Sequence, residues 1–226
     1  MIRGSAMQSL AISTERPLNI LCLGAHCDDI EIGCGGTILE LSAQREVNCT
    51  WVVFCSTDER AREARDCAES FLSKTKKKDI WINNFKDGFL PYFGGQVKDY
   101  FEEIKGKVSP DLIFTHYRED KHQDHRCISE LTLNTFRDHL IFEYEIPKYD
   151  GDMGSPNCYF EVSRESAATK IKNILDKYKT QNKKKWFTED LFMALLRIRG
   201  MESNSSSSLS EAFYGNKIMI TNRSFL

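Results

Sequence analysis

Several things are missing from this chain of 226 residues, and each absence closes off a class of function. No apolar run approaches the ~20 residues needed to cross a bilayer, and the start lacks the continuous hydrophobic core of a secretory signal. There is no excess of basic charge: 31 Lys and Arg face 33 Asp and Glu, for a net charge of -2. That excludes the broad positive field by which proteins hold nucleic-acid phosphates regardless of sequence. The local lysine runs, Lys74 to Lys78 and Lys183 to Lys185, read as solvated turns or helix ends. CxxC pairs are absent although eight cysteines are present, so neither a zinc ribbon nor a disulfide framework is indicated. Single thiols inside apolar runs fit buried cysteines of a reducing cytoplasm, and a cytoplasmic location is expected.

What is present has ordinary globular proportions, 41% hydrophobic and 28% charged, in a length suited to one core. Met1 to Met7 read as a vector-derived leader before a second Met, and one domain is expected over residues 8–226. Leu18 to Gly24 is an uncharged apolar run, the pattern of a strand buried on both faces of a parallel sheet. A Gly-rich loop follows, then a helical pattern from Thr37, then a β-rich run from Cys49 to Cys55. The alternation continues with a charged helix over Asp58 to Leu72, a strand at Ile80 to Ile82 and a helix through Val97 to Ile104. It goes on with a strand at Asp111 to Thr115, a helix from about Asp124 and a strand at Leu140 to Tyr144. Further helices are expected near Ser166 to Tyr178 and Glu189 to Ile198, with a Ser-rich mobile loop at Ser203 to Ser208. This predicts an α/β fold, a single-domain Rossmann-like, mostly parallel sheet flanked by helices, with ligands gathered beyond the strand ends.

Two polar motifs leave such strand ends. The first, Ala25-His26-Cys27-Asp28-Asp29-Ile30-Glu31, carries an imidazole and two adjacent carboxylates off a buried strand, where uncompensated burial is costly. A catalytic zinc takes three ligands from His, Asp or Glu and keeps a position for water. His26 and Asp29 can be two of them, with Asp28 acting on the water. The second motif, His122-Gln123-Asp124-His125, offers a third ligand through either histidine, and Asp124 can orient a neighbouring imidazole. His116 and His139 lack a companion motif and read as structural. Arg60 and Glu63 fit a solvated salt bridge on a charged helix as readily as a substrate contact.

Together the motifs resemble the PIG-L or LmbE-like family of zinc-dependent de-N-acetylases, with A-H-P-D-D-x-E appearing at Ala25 to Glu31 and H-P-D-H at His122 to His125. Arg60 to Glu63, Asp87 to Leu90 and Glu211 to Phe213 extend the resemblance over residues 18 to about 213. The resemblance implies His26, Asp29 and His125 as metal ligands, Asp28 as general base, and His122 as a polarising or acid group beside Asp124. It implies Arg60, Arg62 and Asp87 as substrate contacts. The implied metal is zinc or another divalent ion such as iron, manganese or cobalt. The implied partner is a small sugar or sugar conjugate, with no membrane span and homo-oligomerisation left open.

Cys27 and Gln123 stand where the family commonly has proline, and Cys27 brings a thiol beside the metal, inviting ectopic coordination or oxidation. The implied reaction is removal of an N-acetyl group from an amino sugar. A metal-dependent esterase or non-sugar amidase is the alternative. A non-catalytic nucleotide-binding module is disfavoured, because Gly24, Gly33, Gly35 and Gly36 do not form G-x-G-x-x-G after the first strand.

Overall fold

A computed structural model of the protein describes residues 10–12 and 16–220, so the reading of Met1 to Met7 as a leader lies outside the described residues. The apolar run that opens the chain becomes β1 (Leu18–His26), two residues longer than its sequence pattern, so that His26 is the last residue of the strand. Around it lie β2 (Val47–Cys55), β3 (Lys77–Phe85), β4 (Leu112–His116), β5 (Leu140–Tyr144), β6 (Cys158–Glu161) and β7 (Ser210–Gly215). They form one sheet in the order β3-β2-β1-β4-β5-β7-β6. The first five strands are parallel, whereas β7 runs antiparallel to both β5 and β6. Neither β6 nor β7 is evident from the sequence pattern, because both are short and neither is continuously apolar.

The helices are α1 (Asp29–Gln44), α2 (Asp58–Phe71), α3 (Gly94–Lys107), α4 (Gln123–Thr135), α5 (Arg164–Lys177) and α6 (Glu189–Ser203). None is long and apolar enough to cross a membrane. Alternate residues of the buried strands feed two cores. Leu18, Ile20, Cys22 and Trp51 pack with α1, α2, α5 and α6, while Leu21, Leu23, Val52 and Phe54 pack with α3 and α4. The chain winds from β1 outward through β2 and β3, then crosses back to β4 on the other side of β1. The carboxyl ends of β1 and β4 therefore flank the switch point, where α/β sheets bind ligands.

The largest departure from the sequence expectation is the start of α1, which begins at Asp29 and contains the glycines read as a loop. A Cβ at Gly33 would stand 2.2 Å from the Tyr144 ring, so the helix lies against β5 only because that position has no side chain. Filling it with alanine would overpack the contact by ~1–3 kcal/mol. Further along, the helix ladder admits an ion pair from elsewhere. The Lys170 ammonium donates to Ile32 O at 2.7 Å, and the Gly36 and Thr37 N–H groups each donate to the Glu211 carboxylate at 2.7 Å. The Ser-rich segment after α6 is stitched down, with the Ser206 hydroxyl and the Ser207 N–H donating to Glu161 at the end of β6.

Candidate metal centre and active site

His26 ends β1, His116 ends β4, and the two stand on the same rim of adjacent strands. A sharp turn carries β1 into α1, and at its corner Asp28 holds φ 109, ψ −19, a left-handed conformation that costs a non-glycine residue of order 1–3 kcal/mol. Such strain persists where the surroundings fix it. The Arg60 guanidinium does so here, donating to Cys27 O and standing 3.1 Å from Asp28 Oδ2. Arg60 thus braces the motif loop and makes no bridge to Glu63. Glu63 instead accepts from the Thr180 N–H and hydroxyl.

The turn folds Asp29 back, so that its Oδ2 accepts the His26 N–H at 2.6 Å and faces three imidazoles. From His26 Nδ1 to His125 Nε2 is 3.1 Å, from His26 Nδ1 to Asp29 Oδ2 is 3.4 Å, and from His125 Nε2 to Asp29 Oδ2 is 3.6 Å. Ligands ~2.0–2.2 Å from one tetrahedral ion are separated from each other by about 3.3–3.6 Å, so the triangle has the size of one face of a zinc tetrahedron. The proton bookkeeping agrees. His26 Nε2 lies against Asp124 Oδ2 at 3.2 Å and Asp87 Oδ1 at 3.1 Å, and His125 Nδ1 lies against Asp120 Oδ2 at 2.9 Å. Carboxylates hold a proton on those outer nitrogens. The inner nitrogens of the two rings and Asp29 Oδ2 then converge on one point, where a cation would displace the proton that the raised His26 otherwise shares with His125 Nε2. The donor set fits a zinc-type ion.

Burial alone would raise the Asp29 carboxyl, but the His125 and His116 imidazoles hold it well below the usual carboxylate range. Burial would lower His26, yet Asp124, Asp29 and Asp87 raise it well above an ordinary histidine. His125, buried beside His116, is pushed down to about 4. Asp28 is pushed up to about 6 by burial, against the pull of Arg60. His122 caps α4, its Nδ1 accepting the Asp124 N–H at 3.2 Å, which assigns the ring proton to Nε2. Its ring stands 4.8 Å from that of His26.

Other residues fall differently from the sequence reading. Cys27 is buried with its thiol toward Cys55 O at 3.6 Å, and burial pushes that thiol up to about 12, so it is neither at the ligand triangle nor reactive. Asp124 reaches His26, 98 residues away, and also accepts the Gly88 and Leu90 N–H groups, which seats the Asp87 loop. Gln123, where the family commonly has proline, donates to Gly88 O and ties the start of α4 to the Asp87 loop. Asp87 stays exposed beside His26, whereas Arg62 points to solvent from α2 and is not brought to the cluster. His116 is part of the cluster: its ring stacks on His125 at 3.9 Å, and its Nε2 is 3.2 Å from Asp29 Oδ2. Asp120 was not singled out by the sequence, although a carboxylate five residues before His125 in a strand-to-helix loop is a usable signal. Arg118 pairs with buried Glu143, and Tyr117 stacks on Tyr214 at 3.7 Å.

Two buried carboxylates at the N-terminus of α1 occupy the place where a dinucleotide would put its pyrophosphate, which counts against the nucleotide-binding alternative.

Comparison with known proteins bears on the fold and the family. The uncharacterized deacetylase YaiS of Escherichia coli is 26% identical over 148 residues, covering 62% of this chain and 80% of that one. The N,N'-diacetylchitobiose deacetylase from Pyrococcus horikoshii superposes with a TM-score of 0.61 at 19% identity, covering 86% of this chain and 82% of the other. GalB, a 4-carboxy-2-hydroxymuconate hydratase from Pseudomonas, gives 0.69 at 13% identity with 91% and 99% covered, so the scaffold alone does not fix the reaction. The PIG-L family model, described as GlcNAc-PI de-N-acetylase, matches residues 21–136. With more than half of its length matched, both motifs included, the chain belongs to the PIG-L family.

Proposed function

We propose that this protein removes the acetyl group from the nitrogen of an amino sugar or sugar conjugate, using a divalent ion, zinc in first place, held by His26, Asp29 and His125. The observation that carries the reading is the triangle of inward-facing ligand atoms, His26 Nδ1, His125 Nε2 and Asp29 Oδ2, 3.1 to 3.6 Å on a side. When bound there, such an ion supplies a water acidified toward neutral pH and a Lewis acid for the amide carbonyl.

The chain's own groups supply the rest. Asp28, raised to about 6, is ionised at pH 7 yet basic enough to take a proton from the attacking water. Its corner position and the Arg60 brace fix where that carboxylate points. His122 presents Nε2–H as a donor to the oxygen that becomes negative as water adds to the carbonyl. The new C–O bond and the breaking C–N bond leave acetate and an amine, and Asp28 returns its proton to the departing nitrogen. Asp87, exposed beside His26, is placed to accept from a sugar hydroxyl. The family's description, the name of YaiS and the substrate in the name of the Pyrococcus enzyme support an N-acetylated sugar as the class.

The test is acetate release from a panel of N-acetyl and O-acetyl sugars and a non-sugar acetamide, before and after chelation. Release from N-acetyl sugars that disappears with chelator and returns with zinc is expected. Undiminished release from protein verified free of metal would overturn the metal role, and preferential O-acetyl release would replace the amidase by an esterase.

A further inference from the structure

Asp120 belongs to neither motif, yet it is among the most heavily engaged buried carboxylates of the rim. It is 2% exposed. Its Oδ2 meets His125 Nδ1 at 2.9 Å and Lys148 Nζ at 2.8 Å, and its Oδ1 accepts the His122 N–H at 2.7 Å. Its backbone is held as well, with N–H to Tyr117 O at 3.2 Å and C=O accepting from Arg126 Nη1 at 2.9 Å. One side chain thus touches an imidazole of the ligand triangle, the backbone of the other motif histidine, and the ammonium of a loop that follows β5.

The two histidines of the triangle are supported unequally. His26 Nε2 has two carboxylates, Asp124 and Asp87, so losing one leaves the other. His125 Nδ1 faces Asp120. An imidazole without such an acceptor is free to rotate and to carry its proton on Nε2, the nitrogen that must stay bare to hold an ion. Lys148 keeps the carboxylate in place from behind, and Asp152 in turn holds Lys148 at 2.5 Å.

We propose that Asp120 is a positioning residue of the metal centre, fixing the ring orientation and the Nδ1–H tautomer of His125 and seating the His122 turn beside it. The proposal rests on the metal reading above. It predicts an asymmetry: loss of the Asp120 carboxylate weakens ion binding markedly where loss of the Asp87 carboxylate does not.

The experiment measures zinc affinity by competition with a chromophoric chelator, the visible spectrum of the cobalt(II) form, and the melting temperature of the metal-free protein. Asp120→Asn, which keeps an acceptor, should weaken zinc about tenfold, and Asp120→Ala about a hundredfold. The cobalt bands of Asp120→Ala should lose intensity as the tetrahedral geometry relaxes. Asp87→Asn should change zinc affinity less than about threefold. A role confined to folding would lower the melting temperature while leaving affinity and cobalt spectrum of the folded protein unchanged, and that result overturns the proposal. Should Asp120→Ala fail to fold, unchanged affinity in Asp120→Asn overturns it equally. If the unaltered protein binds no zinc, the metal reading falls and this one with it, a result distinct from equal binding by wild type and variants.

Discussion

Helix α1 carries two buried groups of charge barely a turn apart, and they are built on opposite plans. In the middle of the helix, Lys170 and Glu211 meet at 2.6 Å, and the remaining valences go to Ile32 O and the Gly36 and Thr37 N–H groups. Beside them Arg199 and Glu145 pair at 2.7 Å through two bonds, and the cavity between the pairs is about 10 Å³, room for no more than one water. Donors and acceptors there close on each other. At the start of the helix, the outer nitrogens of His26 and His125 are partnered by carboxylates, and their inner nitrogens and Asp29 Oδ2 are aimed at one another. A buried cluster that closes is structure; one that leaves ligand atoms converging on a point is a receptacle.

The sharpest way to separate the two is to disable the open cluster without emptying it. Asp28→Asn should keep stoichiometric zinc and fold normally while acetate release falls by about 10²–10⁴. Activity within threefold of wild type would remove Asp28 from the base role. The complementary change breaks the closed cluster. Lys170→Met leaves the Glu211 carboxylate buried without its cation and should cost about 3–5 kcal/mol in urea unfolding. A loss below about 1 kcal/mol would mean that the pair is dispensable and the comparison is wrong.

The smallest effect is expected in acid, where Asp29 and Glu145, one from each cluster, respond with opposite sign. Asp29 is held below its unfolded pKa of about 3.9, so the stability it contributes is present above that value and drains away as pH falls through its lower folded value. Glu145 is raised by burial against the pull of Arg199. Its contribution is fullest below the unfolded value of about 4.3 and declines as pH rises through the raised one. Unfolding of chelator-treated protein followed from pH 5 downward should therefore weaken through the open cluster. Asp29→Asn should be less stable at pH 5 and show a flatter acid limb. An acid limb unchanged in that variant would put the sensitivity elsewhere.

How much of this could be read in advance depended on whether chemistry and pattern coincided. His26 and Asp29 were legible because they stand where a buried strand gives way to polar residues, and His125 because its motif follows β4; four of the parallel strands were legible as apolar runs, but of β3 only Ile80 to Ile82 was, its ends being polar. Gly33, Gly35 and Gly36 misled, because a glycine that admits a neighbouring ring or, at Gly36, the Glu211 carboxylate looks in sequence like one that makes a loop. Strand β7, Ser-Glu-Ala-Phe-Tyr-Gly, hid its role because its inward Glu211 is charged, and its partner Lys170 lies 41 residues away. Asp120 hid for a related reason: a lone Asp in a polar loop resembles any other until its three contacts are known. Arg60 was ambiguous on the helix surface and is decided only by the φ of Asp28 and the carbonyl of Cys27.

The clamp of Glu211 on α1 has a consequence for the order in which the molecule is assembled. A ribosome has released His26, Asp29, His122 and His125 long before it reaches residue 211, yet Gly36 N–H waits for a carboxylate 175 positions later. The helix that begins at the motif is completed only by β7, the last element among the described residues, so a fragment cut after α4 would hold every ligand and still lack the strand that seats the helix of Asp29. The seat of the motif helix is thus a contact that closes only after most of the sheet has been made.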